Sequence, residues 1–503
     1  MLHFLQDTRR LGVLDLGSGT ARLVVYAYAP GRYFHQVDEL REPVRLGEGL
    51  AKGSLSPEAL KRGARALRLF ADFARAVGLA QEEVVALATS ALRDGQGGEA
   101  LLEEAARLGL PLRVISGEEE ARYGVLAVAN SLPFSEAWVV DQGGGSAQVS
   151  RMEGRRFAGG RALPLGVLRL KEAFWTQDPP SAREVQALRR HVRAHLKDLP
   201  SGTGLPLVAM GGTVRALARL HQKQSRYPLD LLHGYFLPLE ALKELKEALL
   251  ALPLKRRKEL EGLQPDRAET VPVGAVFYEA LLETLGLPGL HVSGQGIREG
   301  AFYERFLPPP HLLQEVRGFF VEALFHRYPF DPLHRDRVAA LALALFDGLA
   351  PLHRLGPAAR RLLHEAVLLH DIGMHVGYLD HHKHGAYLVL SEPLPGLTHK
   401  EQALLALLVR YHRRGKPEFG ALKPLFAKED KDLLLKLSAL LRLAEHLERP
   451  RTGRVRGVRL EIGERVRLRL EASEEPWVEV LETEKQAGLF AKAFGRGLEV
   501  VWP

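Results

Sequence analysis

Two stretches of the chain end an apolar strand on an aspartate and then turn on glycines beside a hydroxyl. They are Val13-Leu14-Asp15-Leu16-Gly17-Ser18-Gly19-Thr20 and Val139-Val140-Asp141-Gln142-Gly143-Gly144-Gly145-Ser146. A carboxylate offers only acceptor oxygens, the ligand type a hydrated divalent cation takes. Glycines admit positive φ and let backbone N–H groups approach an anion. Another apolar run follows each turn, Leu23-Val24-Val25-Tyr26 and Ala147-Gln148-Val149, so each copy reads as strand, turn, strand. Two such hairpins can grip one phosphate chain from opposite sides with a metal between them.

A third stretch runs from a strand into Ser116-Gly117 and then opens a helix with Glu118, Glu119 and Glu120. Acids in a first helical turn are what the helix dipole favours in any protein. Lying between two phosphate-type turns, a glutamate there can also orient a water for attack on phosphorus. A fourth, Ala88-Thr89-Ser90-Ala91-Leu92-Arg93-Asp94, places Arg93 at a strand end, where it can fork onto phosphate oxygens or pair with Asp94.

These groups need a scaffold, and the pattern supplies one. Strands are expected at Leu11–Leu16, Leu23–Ala29, Val84–Ala88, Leu112–Ile115 and Ala137–Val140, with helices at Pro57–Val77 and Gly98–Leu108. Helices follow near Ala182–Leu196, Thr213–Gln222, Leu239–Ala251 and Val273–Leu285. Two further glycine turns, Met210-Gly211-Gly212-Thr213 and Ser293-Gly294-Gln295-Gly296, end short strands. The alternation is that of an α/β protein. After the stiff run Leu307-Pro308-Pro309-Pro310 the periodicity is helical, at Glu315–His326, Arg335–Leu349, Ala358–His370, Lys400–Tyr411 and Asp430–Glu448. Period-two segments at Arg454–Ile462, Val466–Leu470 and Trp477–Leu481 predict a small closing antiparallel sheet.

The chain has 503 residues, 46% hydrophobic and 26% charged, the composition of an ordinary globular protein. No apolar run approaches the roughly 18 residues of a membrane span. The opening Met1–Asp7 lacks a signal-peptide layout, so a cytoplasmic protein is expected. The absence of cysteine excludes disulfides, thiolate-held clusters and thiol catalysis. A formal net charge of +8 fits a polyanionic ligand and equally a plain solvated surface. Abundant Leu, Arg, Ala and Glu with few thermolabile residues suggest a heat-adapted source.

Seven segments stand in the order found in the exopolyphosphatase / guanosine pentaphosphate phosphohydrolase family, of the actin-like ATPase superfamily, which the chain resembles. They are Asp15–Ser18, Ala88–Asp94, Ile115–Arg122, Asp141–Ser146, Met210–Thr213, Arg298-Glu299-Gly300 and Leu408–Arg413. The resemblance implies two actin-like (ribonuclease H-like) lobes, 1–124 and 125–306, with the active site in their cleft. It further implies a helical His-Asp-phosphohydrolase-like domain at 311–450 and a small C-terminal α+β domain at 451–503. Its activity is metal-dependent removal of the terminal phosphate of inorganic polyphosphate or of guanosine pentaphosphate, with Mg²⁺ or Mn²⁺. Glu120 takes the family's catalytic position and Arg93 that of a phosphate-binding arginine; Asp15 and Asp141 take the metal-associated positions. Gly17, Ser18, Gly143, Gly144, Gly145, Ser146, Gly211, Gly212 and Thr213 take the phosphate turns. A homodimer is implied, with neither nucleic acid nor membrane as partner. The chain departs from the family at Gly19-Thr20, where Asn-Ser is usual, at Gln142, usually apolar, and at Ser293-Gly294-Gln295, usually Ser-Asp-Gly.

His334, the pair His370-Asp371 and Glu445 have the order of a His…His-Asp…Asp metal site, with Glu in the distal place. More histidines follow at His381, His382 and His384. They read either as a second metal site or as remnants of a non-catalytic version of that fold. Lys255–Lys258, Arg410–Arg414 and Arg449, Arg451, Arg454 and Arg456 are expected to line a path for a long polyanion. Two rival functions stand beside the hydrolase: an ATP-dependent sugar or acid kinase, and a nucleotide or alarmone sensor without turnover.

Overall fold

The computed structural model describes residues 8–48, 53–202 and 204–502; the Met1–Asp7 reading lies outside them. The chain forms two compact units, up to Val316 and from Arg317.

The first unit is built on two sheets. In the first, β1 (Arg9–Leu16), β2 (Ala21–Ala29), β3 (Tyr33–Glu42), β4 (Val84–Ala88) and β5 (Leu112–Val114) lie in the order β3-β2-β1-β4-β5. β1 pairs antiparallel with β2 and parallel with β4, with Asp15 opposite Arg22 and Leu87. The helix Pro57–Ala76 covers this sheet, its start fixed by Ser56, whose Oγ accepts from Ala59 N at 3.2 Å. It presses Leu67, Phe70 and Ala71 onto Leu14, Leu23 and Val25.

The second sheet repeats the plan. It contains β6 (Ala137–Gln142), β7 (Ala147–Glu153), β8 (Arg156–Leu163), β9 (Leu207–Met210), β10 (Phe236–Pro238) and β11 (Gly289–Val292), in the order β10-β11-β9-β6-β7-β8. Asp141 stands opposite Gln148 of β7 and Met210 of β9, so the Asp141 and Met210–Thr213 turns leave the sheet side by side. The apolar helix Val271–Leu285 is buried on nearly every face in this lobe's core. Helix Gly117–Ala129 packs Val125 and Val128 against Val139 and Met210 of the second sheet. Helix Ile297–Phe306 lies so close on it that a methyl group at Gly300 would overlap the Tyr123 backbone. This explains the glycine of the Arg298-Glu299-Gly300 segment.

In the second unit, helices Pro332–Gly348, Pro357–Leu369, His381–Ser391, His399–Tyr411 and Asp430–Leu447 enclose one leucine-rich core. The terminal sheet differs from expectation. β12 (Val455–Ile462) and β13 (Arg465–Ala472) are antiparallel, but β14 (Gly497–Val501) joins parallel to β13. Trp477–Leu481 is not a strand: Trp477–Glu484 is helical and buries Glu479 and Thr483, one turn apart, while Trp477, Val478 and Leu481 are exposed. The apolar residues that mimic strand alternation lie on the outer side of a helix in the crossover between β13 and β14.

Candidate active site

The two aspartate turns fold alike. Gly17 N donates to Thr20 O at 3.2 Å, and Gly143 N to Ser146 O at 2.9 Å, so each pair of glycine and hydroxyl residues closes one tight loop. The loops face and touch each other. A methyl at Gly144 would lie 3.2 Å from Gly19 N and 3.3 Å from Ser18 Cβ; one at Gly145 would lie 2.9 Å from Ser18 Oγ. Ser18 Oγ also lies 2.8 Å from Ser90 Oγ, joining the first turn to the end of β4. The first turn is braced by Gly47 N on Ser18 O (2.7 Å). The second is braced by Val167 N on Gly143 O (3.0 Å) and Leu168 N on Gly144 O (2.9 Å).

Between the loops opens a cavity of about 210 Å³. Asp15, Glu120 and Asp141 line it together with Gly17, Ser18, Gly143, Gly144, Ser146, Gly211, Gly212 and Thr213. Gly145 is tucked beneath, against Ser18 and Ser90, and Arg93 stands behind Glu120 rather than on the wall. Of the three acids opening the Gly117–Ala129 helix, only Glu120 is buried in the cleft; Glu119 pairs with Arg113 at 2.6 Å. Ser116 Oγ caps this helix by accepting from Glu119 N at 3.0 Å.

The electrostatics follow from burial. Desolvation raises the Glu120 pKa to about 8; Arg93 opposes the shift, and the charges of Asp141 and Asp15 add to it. Burial likewise raises Asp141 to about 6 against the pull of Arg215, and raises Asp15 against the pull of Arg298. Arg298 lies 3.4 Å from Asp15 Oδ2. Burial and neighbouring cations lower Arg215 and Arg267 to about 10 each.

Six arginines line the cavity: Arg22, Arg41, Arg45, Arg215, Arg267 and Arg298. They are the functional residues that sequence reasoning missed, apart from the mention of Arg298 within a segment. They come from β2, β3 and loops or helices distant in sequence, where single arginines carry no local pattern. Arg215 is held by Gly211 O (3.0 Å) and by Gly294 O (2.8 Å), so the altered Ser293-Gly294-Gln295 turn still anchors a wall of the site. Gln142 is buried and donates to Leu165 O at 3.1 Å, tying the second turn to the segment beneath it. The expected basic path fares differently: Arg257 is buried against Asp178, Arg414 pairs with Asp380, and Arg451 with Asp331 and Asp371.

The Ppx/GppA phosphatase family model matches residues 24–308, more than half the chain, and that family's domain III matches residues 316–485. The chain belongs to the Ppx/GppA phosphatase family. Its structure resembles a solved Aquifex aeolicus Ppx/GppA family member at 29% identity and TM-score 0.52, covering 59% of this chain and 97% of that one. A type II variant structure of the Aquifex aeolicus Ppx/GppA phosphatase is 30% identical with TM-score 0.50, over 59% and 99% of the two chains. An exopolyphosphatase from Cytophaga hutchinsonii, 23% identical over 59% and 98%, shares the fold with TM-score 0.54. A Ppx/GppA phosphatase hydrolyses phosphorylated substrates, and the two-lobed actin-like architecture carries its cleft.

The second unit gathers its own residues. His334, His370, Asp371 and Glu445 converge in the core: His334 Nε2 and His370 Nε2 lie 3.0 and 3.3 Å from Glu445 Oε2. His381 and His412 join them, 3.4 and 3.7 Å from Asp371 Oδ1. His412, read in the sequence only as part of a basic run, is fully buried, and that burial lowers its pKa to about 3. Burial opposes protonation of His370, but Asp371 and Glu445 outweigh it and raise its pKa to about 9.

No helix among the described residues is long and apolar enough to cross a membrane.

Proposed function

We propose that the cleft removes the terminal phosphate of inorganic polyphosphate, processively and with a divalent cation. The observation that carries this reading is the facing pair of glycine turns, with the buried Glu120, the half-buried Asp15 and Asp141 and six arginines around one cavity. Arginines recognise phosphate oxygens through forked, charge-assisted hydrogen bonds. Among the described residues lining the cavity none is aromatic, so a nucleotide base finds no ring to stack on. That favours a substrate made of phosphate alone over guanosine pentaphosphate.

The acids fit a resident cation. Asp15 and Asp141 are half-buried oxygen donors whose charged forms are disfavoured by desolvation and by neighbouring acids, Glu299 for Asp15 and Asp15 for Asp141, a cost that a dication relieves. Hard oxygen ligands suit Mg²⁺ or Mn²⁺. When bound, the ion neutralises phosphate charge and polarises the anhydride oxygen. The chain's own groups do the rest. The arginines hold and orient the phosphates, and the turns fix the terminal unit. Glu120 aligns a water and accepts its proton, at a basicity that burial has raised toward neutral pH.

Phosphate release from polyphosphate, guanosine pentaphosphate and ATP with sugars, each with Mg²⁺, tests this reading. Turnover confined to polyphosphate supports it. Turnover confined to guanosine pentaphosphate, transfer to sugar, or binding without release replaces it with the corresponding alternative.

A further inference from the structure

Independently of the cleft, the second unit buries four imidazoles around one carboxylate. We propose that this cluster is a dinuclear transition-metal centre bridged by Asp371. One ion is held by His334, His370, Glu445 and Asp371 Oδ2, the other by His381, His412 and Asp371 Oδ1.

Ring orientation is the first argument. The Nδ1 atoms of His370, His381 and His412 lie 2.6, 2.9 and 2.7 Å from the carbonyl oxygens of Val367, Tyr378 and Val409. A carbonyl only accepts, so each Nδ1 carries a hydrogen and Nε2 is the nitrogen each ring turns inward, the one a cation takes in place of a proton. A backbone acceptor on the outer nitrogen is how proteins orient metal-binding histidines.

Convergence is the second. His381 Nε2 and His412 Nε2 are 3.2 Å apart, and His370 Nε2 and His334 Nε2 are 3.4 Å apart. With Nδ1–H spent on carbonyls, the neutral His381 and His412 rings face each other with two Nε2 lone pairs, which cannot satisfy each other; a cation between them can. Both triads, His334-His370-Asp371 and Asp371-His381-His412, keep their ligand atoms within 4.8 Å of one another. Ligands about 2.0–2.2 Å from a shared ion lie at roughly such spacings.

The third argument is the orphaned oxygen. Asp371 Oδ1 is buried without a hydrogen-bond donor, which is costly for a carboxylate unless something positive reaches it. Its other oxygen accepts from Arg451, which also holds Asp331 at 3.2 Å and so fixes the carboxylate's direction. The replacement of the distal Asp by Glu445 keeps an oxygen donor in place, within 3.3 Å of both His334 and His370.

Imidazole and carboxylate without thiolate select Mn²⁺, Fe²⁺, Co²⁺ or Zn²⁺ over Mg²⁺ or Ca²⁺. Two dications against Asp371 and Glu445 leave a net positive charge, and the second ion, with three protein donors, keeps positions open. The ligand class such a pair takes is a phosphate-type anion. The exposed Tyr378, whose carbonyl orients His381, accepts from Arg413 at 3.2 Å, giving the site a cationic rim.

The test is reconstitution of the chelator-stripped full-length chain with Mn²⁺ or Co²⁺. The readouts are metal content per chain and imidazole-nitrogen coupling in the electron paramagnetic resonance spectrum. The cleft's Asp15 and Asp141 supply only oxygen donors, so nitrogen coupling reports the histidine cluster alone. The expected parent signal is a spin-coupled pair of nitrogen-bound ions. In His412→Gln it becomes a single uncoupled ion, and in Asp371→Asn nitrogen-bound metal affinity falls at least tenfold. A parent chain with no nitrogen-coupled ion at saturating metal overturns the proposal, even if both variants fail to fold. So does equal nitrogen-bound metal in parent and Asp371→Asn.

Discussion

The Arg93 guanidinium donates to Glu120 Oε2 at 3.1 Å, and the same nitrogen donates to the Ile115 carbonyl at 3.1 Å. An arginine at the end of β4 therefore fixes the carboxylate that opens the Gly117–Ala129 helix. Glu120 is 7% exposed, so its carboxylate exchanges most of its water for this one cation and the cavity. If Glu120 is the general base, Glu120→Gln lowers kcat by roughly 100- to 10,000-fold while polyphosphate binding stays within a few-fold. Steady-state phosphate release and equilibrium binding measured on the same preparation check this. Turnover within a few-fold of the parent removes Glu120 from the role.

The same substitution has a stability signature. The Glu120 pKa in the folded chain, about 8, lies above the ordinary value of 4.5. Folding then favours the protonated acid, and its contribution is lost as pH rises through the folded pKa. Glu120→Gln, neutral throughout, gains on the parent between about pH 4.5 and pH 8 in metal-free buffer. A melting-temperature gap of about 2–4 °C or more at pH 8, closing near pH 5, is the expected result of a change of one or two kcal/mol. A gap independent of pH contradicts it.

Arg93 sets where Glu120 titrates. It is the chief influence lowering the Glu120 pKa, so Arg93→Ala moves the acid limb of the kcat/KM profile to higher pH. Near pH 7 the loss is about tenfold and shrinks toward pH 9, whereas loss of a phosphate contact alone lowers activity evenly at all pH values. The pH profile separates the two roles.

Much of this site is legible in the sequence because its parts are local. Asp15, Asp141, the glycine turns and Glu120 each sit inside a short run whose strand or helix is written in the same residues. The six cavity arginines are not legible, because their meaning comes only from the sheet order that assembles Arg22, Arg41, Arg215 and Arg298 around one space. β3 and β8 were likewise not read: their residues are mostly exposed or half-buried and lack an apolar rhythm. The helix Trp477–Glu484 was misread because its exposed apolar residues imitate strand alternation. The helical unit shows the same division. The order His334, His370-Asp371, Glu445 is visible in the sequence, as is the run that holds His381, while the place of His381 and His412 beside Asp371 comes only from the packing of helices His381–Ser391 and His399–Tyr411, the second ending just before His412.

Arg267 holds a charge that its surroundings disfavour: burial, then Arg41 and Arg215, lower its pKa to about 10. Its guanidinium lies against Gly212, where a methyl group would overlap it. A bound phosphate adds counter-charge to that of Asp266, so Arg267→Met raises KM for polyphosphate roughly tenfold, about 1.4 kcal/mol of binding. It also leaves the free protein as stable as the parent or more so, and weakens the thermal stabilisation conferred by polyphosphate. Melting curves with and without polyphosphate, beside KM, check this; an unchanged KM removes Arg267 from substrate binding.

Gly166 went unnoticed in the sequence, yet it carries the second turn. A methyl group there would overlap the backbone of Gly144, Gly145 and Ser146, where no flexible side chain can yield. Gly166 also starts the helix Val167–Phe174, whose first amides hold the Gly143 and Gly144 carbonyls. Gly166→Ala must push the turn out of place or distort that helix start. The overlap costs about 1–3 kcal/mol, the range for overpacking a filled site. Because the displaced atoms face Ser18 and the cavity, activity falls further than stability does. We expect at least a 100-fold loss of kcat/KM in a chain that still melts cooperatively within about 10 °C of the parent. Gly154→Ala is the control: Gly154 has a φ of +54° in the β7–β8 turn and no atom near its missing methyl, so backbone strain alone lowers stability there and activity is retained. Equal activity losses in the two variants would show that the Gly166 contact does not position the turn.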